Sequence, residues 1–447
     1  MKKSGFTSLR RGGEHIDLIW FSEIQWDFLS TRKQRLLARF PEEWRILFIE
    51  PFTLGRKQHW LPAKRGRVTV VTVPFLKTIP LGKPQLFDNP LIRWFVTLVG
   101  RTLAAFWFRL LGFSSADRII GLSNIYWGDA AAVMPCRLRF YDANDDHLAF
   151  TPGQPWLHDS MRRFVEKADL IFYVSDPLLD KLMPRLVSSQ YQTVWRIPRH
   201  CEEHRDAAIH ANPAKSTKDG SPRTDRSGLA MTNIRHFLLD TLPEQRCVEL
   251  GNGVEFDHFA TPRRETPSQL AGLPRPILGY AGAMDWLDAD LVASVAKAWP
   301  EFSVVLVGPA YASDWAERHA DLLCLPNVHW VGKIDYDELP AWVQQFDLAL
   351  MPLERSDLKR ASNPNKLYEY AAACVPILAI DYCDAVRKAS DVVHVVSTSE
   401  EFVRLVPDAL ADCRKGERHA FARAHSWDAL AAAMVRELRD AMQWRRS

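Results

Sequence analysis

The stretch Asn363-Pro364-Asn365-Lys366-Leu367-Tyr368-Glu369-Tyr370-Ala371-Ala372-Ala373-Cys374-Val375-Pro376-Ile377-Leu378-Ala379-Ile380 admits few structures. Its opening is polar and turn-forming. Leu367, Tyr370 and Ala371 then recur at helical spacing. Pro376 ends the helix, and Ile377 to Ile380 is a short apolar run of the kind buried in a parallel sheet. Turn, helix, proline and buried strand in this order make a ligand-site geometry of open α/β proteins. The helix N-terminus offers free N–H groups to an anion, yet Lys366 sits there against the helix dipole. A bound phosphate accounts for that placement. Glu369, one turn on, shares the face and reaches a sugar hydroxyl. Asn363, Asn365, Lys366 and Glu369 are therefore candidate ligand-binding residues.

A chain of 447 residues is too long for one hydrophobic core and suits two domains. A net charge of +3 is too mild to argue for nucleic acid as a partner. The seven cysteines, Cys136, Cys201, Cys247, Cys324, Cys374, Cys383 and Cys413, form no C-x-x-C pair, which fits a reducing, cytoplasmic setting. Lys2, Lys3, Arg10 and Arg11 have no apolar segment behind them, so no secretory signal is expected.

Strand and helix alternate along the chain. Ile16–Phe21, Arg45–Glu50, Val68–Val73, Arg118–Leu122, Arg137–Tyr141, Leu170–Val174, Val194–Pro198 and Val248–Leu250 read as strands of a first α/β domain, 1–260. Ile277–Ala281, Phe302–Val307, Val328–Val331, Leu348–Met351, Ile377–Ile380 and Val392–Val396 read as those of a second, 261–425, and 426–447 as a terminal helix. Ser123 to Asp129 reads as a loop. Gly251-Asn252-Gly253 is predicted to turn through positive φ. Gly282 and Gly308, at strand ends of the second domain, let backbone approach a diphosphate. Residues 199–240 interrupt the pattern as a surface insertion. Its His200, Cys201, His204 and His210 hint at zinc, but no second cysteine stands at close spacing.

Leu91 to Phe113 mixes Trp94, Phe95, Phe106, Trp107 and Phe108 with Arg93, Arg101 and Arg109. The arginines argue against a membrane-spanning helix. It is either a buried domain helix or an interfacial one, with aromatics in lipid and arginines on anionic head groups. Taken together, its aromatics spread around the helix rather than gather on one face.

Several segments resemble the GT-B nucleotide-sugar glycosyltransferases, including family 4-type and glucuronosyltransferase-like enzymes of bacterial polysaccharide biosynthesis. The opening stretch follows "nPxKlyEYlAaGkPVva", with Cys374 at the usual glycine. Trp26, Asp27, Arg32, Gln34 and Leu36 follow "Wd...qRpqhLa". Asp142, Asn144, Asp145, Asp146 and His147, with Phe150, follow "YDcxDdxxxF". Ala168, Asp169 and Ser175 follow "aDlvfatSxxL", and Asn252 to Phe259 follow "NGVDxxhF" with Glu255 for aspartate. The resemblance implies two Rossmann-like domains facing across a cleft, with the last helix crossing back. It implies a nucleotide-sugar donor, probed by Lys366 at the diphosphate and Glu369 at the ribose, and a glycan or polyprenyl-linked acceptor. No cofactor or metal is implied, although Asp142 and Asp145 could take magnesium. Asp142, Asp145 and Asp146 are candidate bases if the enzyme inverts and positioning groups if it retains, and Trp26, Asp27, Arg32, Ser175 and Asn252 are candidate acceptor-side residues. The bland alternatives are helix-capping and turn roles for the acids, and pairing with Asp27 or a carbonyl for Arg32. Two departures matter: Met284-Asp285-Trp286 replaces a basic pair, and Ala361 replaces the first glutamate of an E-x7-E pair. A sugar-nucleotide epimerase of the same architecture and a non-catalytic glycan-assembly protein remain as alternatives.

Overall fold

The computed structural model describes residues 16–28, 30–53, 55–74, 88–113, 117–124, 126–147, 155–187 and 246–444. The strands are β1 (Ile16–Phe21), β2 (Trp44–Pro51), β3 (Ala63–Arg65), β4 (Val68–Val73), β5 (Arg118–Leu122), β6 (Leu138–Ala143), β7 (Leu170–Tyr173), β8 (Arg246–Glu249), β9 (Ile277–Ala281), β10 (Ser303–Val307), β11 (Val328–Gly332), β12 (Leu348–Met351), β13 (Ile377–Ile380) and β14 (His394–Val396). They form two sheets, ordered β3-β4-β2-β1-β5-β6-β7-β8 and β11-β10-β9-β12-β13-β14. All pairings are parallel except β3 with β4. β1, β4, β5, β9, β10, β12 and β13 are buried along their whole length. That is why they read as continuous Val, Ile and Leu runs rather than alternating ones. Strand order reverses between β1 and β5 in the first sheet and between β9 and β12 in the second. Open α/β sheets bind ligands at such switch points, beyond the carboxyl ends of the strands.

The helices that position the site are α1 (Arg32–Leu37), α2 (Pro90–Leu110), α3 (Gly128–Ala132), α4 (Pro155–Val165), α5 (Asp176–Val187), α6 (Asp357–Arg360), α7 (Asn365–Ala372), α8 (Lys415–Ala424) and α9 (Trp427–Trp444). α3 begins inside a segment expected to be loop. The Asn124 side chain explains it, accepting from the amides of Tyr126 at 2.9 Å and Trp127 at 3.1 Å and turning the chain into the helix. The expected strand at 194–198, the insertion at 199–240 with its histidines and Cys201, and Phe150 lie outside the described residues.

Two of the chain's passages between the first-half and second-half cores lie side by side. Leu250 packs in the first core and Val254 in the second, before the boundary expected near residue 260. Ala422 packs in the second and Trp427 in the first. The two crossings bond to each other: Val254 N donates to His425 O at 3.1 Å, and Trp427 N donates to Val254 O at 3.1 Å. Gly253 makes this possible, since a Cβ there would lie 2.6 Å from the His425 carbonyl oxygen. Neither Gly251 nor Gly253 adopts positive φ. The Gly-Asn-Gly turn needs glycine for close approach, not for left-handed backbone. α9 then lies on the first core, where Trp427, Met434, Leu438 and Met442 pack with Trp20, Leu36 and Trp44.

The aromatics of α2 divide between two faces. Trp107 and Phe108 are buried with Gly100 and Ala104. Ile92, Val96 and Leu103 are partly buried against the core, while Leu91, Trp94, Phe95, Leu98, Phe106 and Leu110 are exposed. Their spacing follows i, i+3, i+4, i+7, so they form one stripe, which Arg101 and Arg109 share.

Candidate functional site

Several motif residues meet where the two halves join. Arg32 Nε lies 3.1 Å from both carboxylate oxygens of Asp142, and Nη2 lies 3.1 Å from Oδ1. Both side chains are buried, Asp142 completely. Arg32 also donates to the Gly251 carbonyl. The alternative pairing of Arg32 with Asp27 is not formed; Asp27 instead pairs with Arg65 at 2.6 Å, whose guanidinium holds its carboxyl below the usual range. Asn252 N donates to Asn363 Oδ1 at 3.1 Å, and Asn252 Nδ2 to Asn363 O at 2.7 Å. Asn363 Nδ2 donates to Val174 O at 3.0 Å, and Tyr368 OH to Asn363 Oδ1 at 2.8 Å. Ser175 Oγ donates to Ala361 O at 2.7 Å. Ala361 is buried against the core of the first half. Asp142, Arg32, Asn252, Asn363 and Ser175 thus form a hydrogen-bonded joint. A magnesium ion on Asp142 would have to displace Arg32.

The second sheet carries a different cluster at its switch point. Lys366, in the first turn of α7, donates to Tyr280 OH at 2.9 Å and sits 4.2 Å from that ring's centroid. Tyr280 OH donates onward to Ala283 O at 2.9 Å. Tyr370 OH accepts from Ala281 N at 2.7 Å and locks α7 to β9. Gly282 leaves space for the lysine, because a Cβ there would fall 2.5 Å from Lys366 Nζ. Gly308 is pressed against Gly282 in turn, its Cβ position 1.9 Å from the Gly282 carbonyl oxygen. Burial lowers the Lys366 ammonium to about 7, aided by Lys359 and opposed by Glu369. Burial raises the Glu369 carboxyl to about 7, opposed by Lys366 and Arg35. Glu369 is half-buried, and its carboxylate forms no hydrogen bond or ion pair among the described residues. Its acceptor capacity stays available. Asn365 is exposed beside them at the start of α7.

The sequence reading missed Lys359. It belongs to α6, in the connection after β12, and its Nζ lies 3.6 Å from the centroid of Trp286 in the connection after β9. The Met284-Asp285-Trp286 departure is therefore not idle. Asp285 accepts from the amides of Tyr311 and Ala312, each at 2.8 Å, and Trp286 seats a lysine from the neighbouring loop. No local pattern announces this, because 73 residues separate Trp286 from Lys359 (359 − 286).

Across the cleft, the loop after β6 presents Asp145, Asp146 and His147. Asp146 is buried, with Lys181 3.7 Å away. Asp145 is exposed and accepts from the Asp146 amide at 3.1 Å. Desolvation by the surrounding protein raises its carboxyl, against the pull of His147 and of Lys359 from the other half. After β1, Glu23 pairs with buried Lys33, and it also feels His147. Trp26 packs edge-on against Phe48 at 5.0 Å, and its backbone amide donates to Glu50. Asp27 and Trp26 are thus engaged within the first half. Among the described residues, no group of three or more His, Cys, Asp or Glu side chains could hold a metal ion.

Residues 275–412 match the family model described as Glycosyl transferases group 1. That segment contains Tyr280, Gly282, Gly308, Lys359, Lys366 and Glu369. A Bacillus subtilis (strain 168) protein, TuaH, named provisionally as a teichuronic acid biosynthesis glycosyltransferase, is 32% identical over 130 residues. The match covers 28% of this chain and 32% of that protein, so it spans only about a third of the relative's length. Solved structures match over nearly the whole chain. An E. coli trehalose-6-phosphate structure bound with UDP-2-fluoro glucose has a TM-score of 0.62 at 12% identity, covering 96% of this chain and 99% of that one. Sucrose-phosphate synthase from Thermosynechococcus elongatus has a TM-score of 0.61 at 14% identity, covering 95% and 98%. The fold is GT-B. At these identities the likeness carries the architecture alone. Within the GT-B frame, the joint lies between the two α/β halves, and the lysine cluster faces the acidic loop across the cleft.

Proposed function

We propose that this GT-B protein transfers a sugar from a nucleotide diphosphate sugar, UDP- or GDP-linked, to a glycan or lipid-linked acceptor. One observation carries the reading: Lys366 is seated on Tyr280 at the Gly282 strand end, one turn from a Glu369 carboxylate with unspent acceptor capacity. A diphosphate takes the lysine and the free N–H groups of α7, and ribose hydroxyls take Glu369. The second half is then the donor side and the first half the acceptor side.

In transfer, the acceptor oxygen forms a bond to the anomeric carbon as the carbon–phosphate oxygen bond breaks. The electron pair of the broken bond leaves on the diphosphate, where Lys366 stabilises it. The acceptor proton passes to a carboxylate. Asp145 is the best placed of the three acids, being exposed, with a raised proton affinity and drawn towards Lys359. Asp142 is committed to Arg32 and Asp146 is buried. No metal is needed in this scheme, since lysines and backbone amides carry the charge.

The same reading gives the apolar stripe of α2 a role. We place it against the cytoplasmic face of a membrane, with Arg101 and Arg109 on anionic head groups, which suits a polyprenyl-linked acceptor. Vesicle co-sedimentation should depend on anionic lipid and weaken with salt. Sedimentation no greater than that of a soluble control on all lipids would remove the membrane role.

The activity is tested by a binding screen of nucleotide sugars, followed by product analysis with and without acceptors. Saturable donor binding and acceptor-dependent transfer are expected. Isomerisation of the sugar nucleotide without any acceptor would overturn the transferase reading.

A further inference from the structure

We infer that Lys359 is a second ligand of the donor diphosphate, closing with Lys366 on the two phosphoryl groups. This rests on the donor reading above and adds a residue to it. Lys359 and Lys366 are both half-buried, and each ammonium is held against an aromatic ring rather than a carboxylate: 3.6 Å over Trp286 and 4.2 Å over Tyr280. Neither makes an ion pair among the described residues. Among the described residues, other lysines withdrawn from solvent are paired, Lys33 with Glu23 and Lys181 with Asp146. An aromatic face holds a cation in place without neutralising it. Two neighbouring ammonium groups, partly desolvated and with only the longer-range pull of Asp145, Glu354 and Glu369 on them, raise the free energy of the empty site. An anion carrying at least two charges removes that cost.

The location narrows the anion. Trp286 and Lys359 come from the connections after β9 and β12, the strands flanking the switch point of the second sheet. Gly282 and Lys366 lie at the same edge. A monophosphate spans one cation site, and a diphosphate spans two. The leaving diphosphate gains charge as the glycosidic carbon departs, so a second lysine acts most strongly at that moment. Trp286 is 41% exposed and acts as a positioning residue, fixing the Lys359 ammonium without touching the reacting atoms.

The test is calorimetric titration of the full chain with a UDP- and a GDP-linked sugar, UDP, GDP, their monophosphates and inorganic pyrophosphate, using wild type, Lys359→Gln and Lys359→Arg. The expected result is a roughly ten- to hundredfold loss of nucleoside diphosphate and pyrophosphate affinity in Lys359→Gln, the scale of one hydrogen bond to a charged group. Monophosphates should change less, and Lys359→Arg should recover most of the loss. Equal diphosphate affinity in wild type and Lys359→Gln would overturn the inference while the donor reading stands. Loss confined to the intact sugar nucleotide would also overturn it, placing Lys359 on the sugar. A wild type that binds no nucleoside diphosphate would overturn the donor reading itself.

Discussion

The joint between the halves and the cleft beside it are built from residues of the same motifs, yet they differ in one respect. At the joint every named polar group has a partner: Arg32 on Asp142 and Gly251, Asn252 on Asn363, Asn363 on Val174, Ser175 on Ala361. In the cleft Lys359 rests on a ring alone, Lys366 on a ring and a phenol, and Glu369 on nothing among the described residues. Satisfied buried polar groups hold a structure in one arrangement. Withdrawn charges left without partners mark a place that a ligand completes. A motif match cannot tell these two fates apart. Partner geometry can.

The comparison is broken most severely by Arg32→Ala. It leaves Asp142 buried without its counter-charge, and urea unfolding should show a loss of about 3–5 kcal/mol. Unchanged stability with abolished transfer would move Arg32 from the joint to the cleft. Asp145→Asn should do the reverse, lowering transfer about a hundredfold or more while leaving stability and donor affinity intact. If transfer persists at the wild-type rate, the base lies elsewhere. Glu369→Ala should cost about 1.5–3 kcal/mol of nucleotide-sugar affinity, read by calorimetry, with the fold unaffected. The smallest effect concerns Cys374, which follows the C-cap of α7 at φ +59. A side chain in that left-handed region is strained, so Cys374→Gly should raise unfolding free energy by about 1 kcal/mol. A loss of stability there would mean that the cysteine side chain contributes more by packing than its backbone costs.

What could be read from the sequence follows from the range of each interaction. Lys366 and Glu369 lie three residues apart (369 − 366) on one helix, so local periodicity exposes them as a pair. The buried strands were legible as apolar runs for the same reason. Arg32 with Asp142 and Asn252 with Asn363 are separated by 110 and 111 residues; the first pair forms when α1 meets the end of β6 within the first half, the second only when the halves come together. Lys359 on Trp286 is a contact of the same kind. In α2, counting every aromatic hid the stripe. Once Trp107 and Phe108 are turned inward, the exposed residues fall on one face.

The division between joint and cleft rests most heavily on Lys366. Its ammonium, lowered to about 7 in the free protein, must be charged to hold a diphosphate. Because the free group loses its proton above that pH, its contribution to affinity should be fully present well below about pH 7 and fall by up to about tenfold per unit as the pH rises further, while Glu369, whose carboxyl is raised to about the same value, gains its charge over that range. The direct measurement is calorimetric titration of the nucleotide sugar at about pH 6.5 and about pH 8.5, on wild type and Lys366→Ala. The predicted result is tight binding by wild type that weakens with rising pH, and binding by the variant that is weaker by at least about tenfold and has lost this slope. Equal affinity and equal pH dependence in the two proteins would contradict the account.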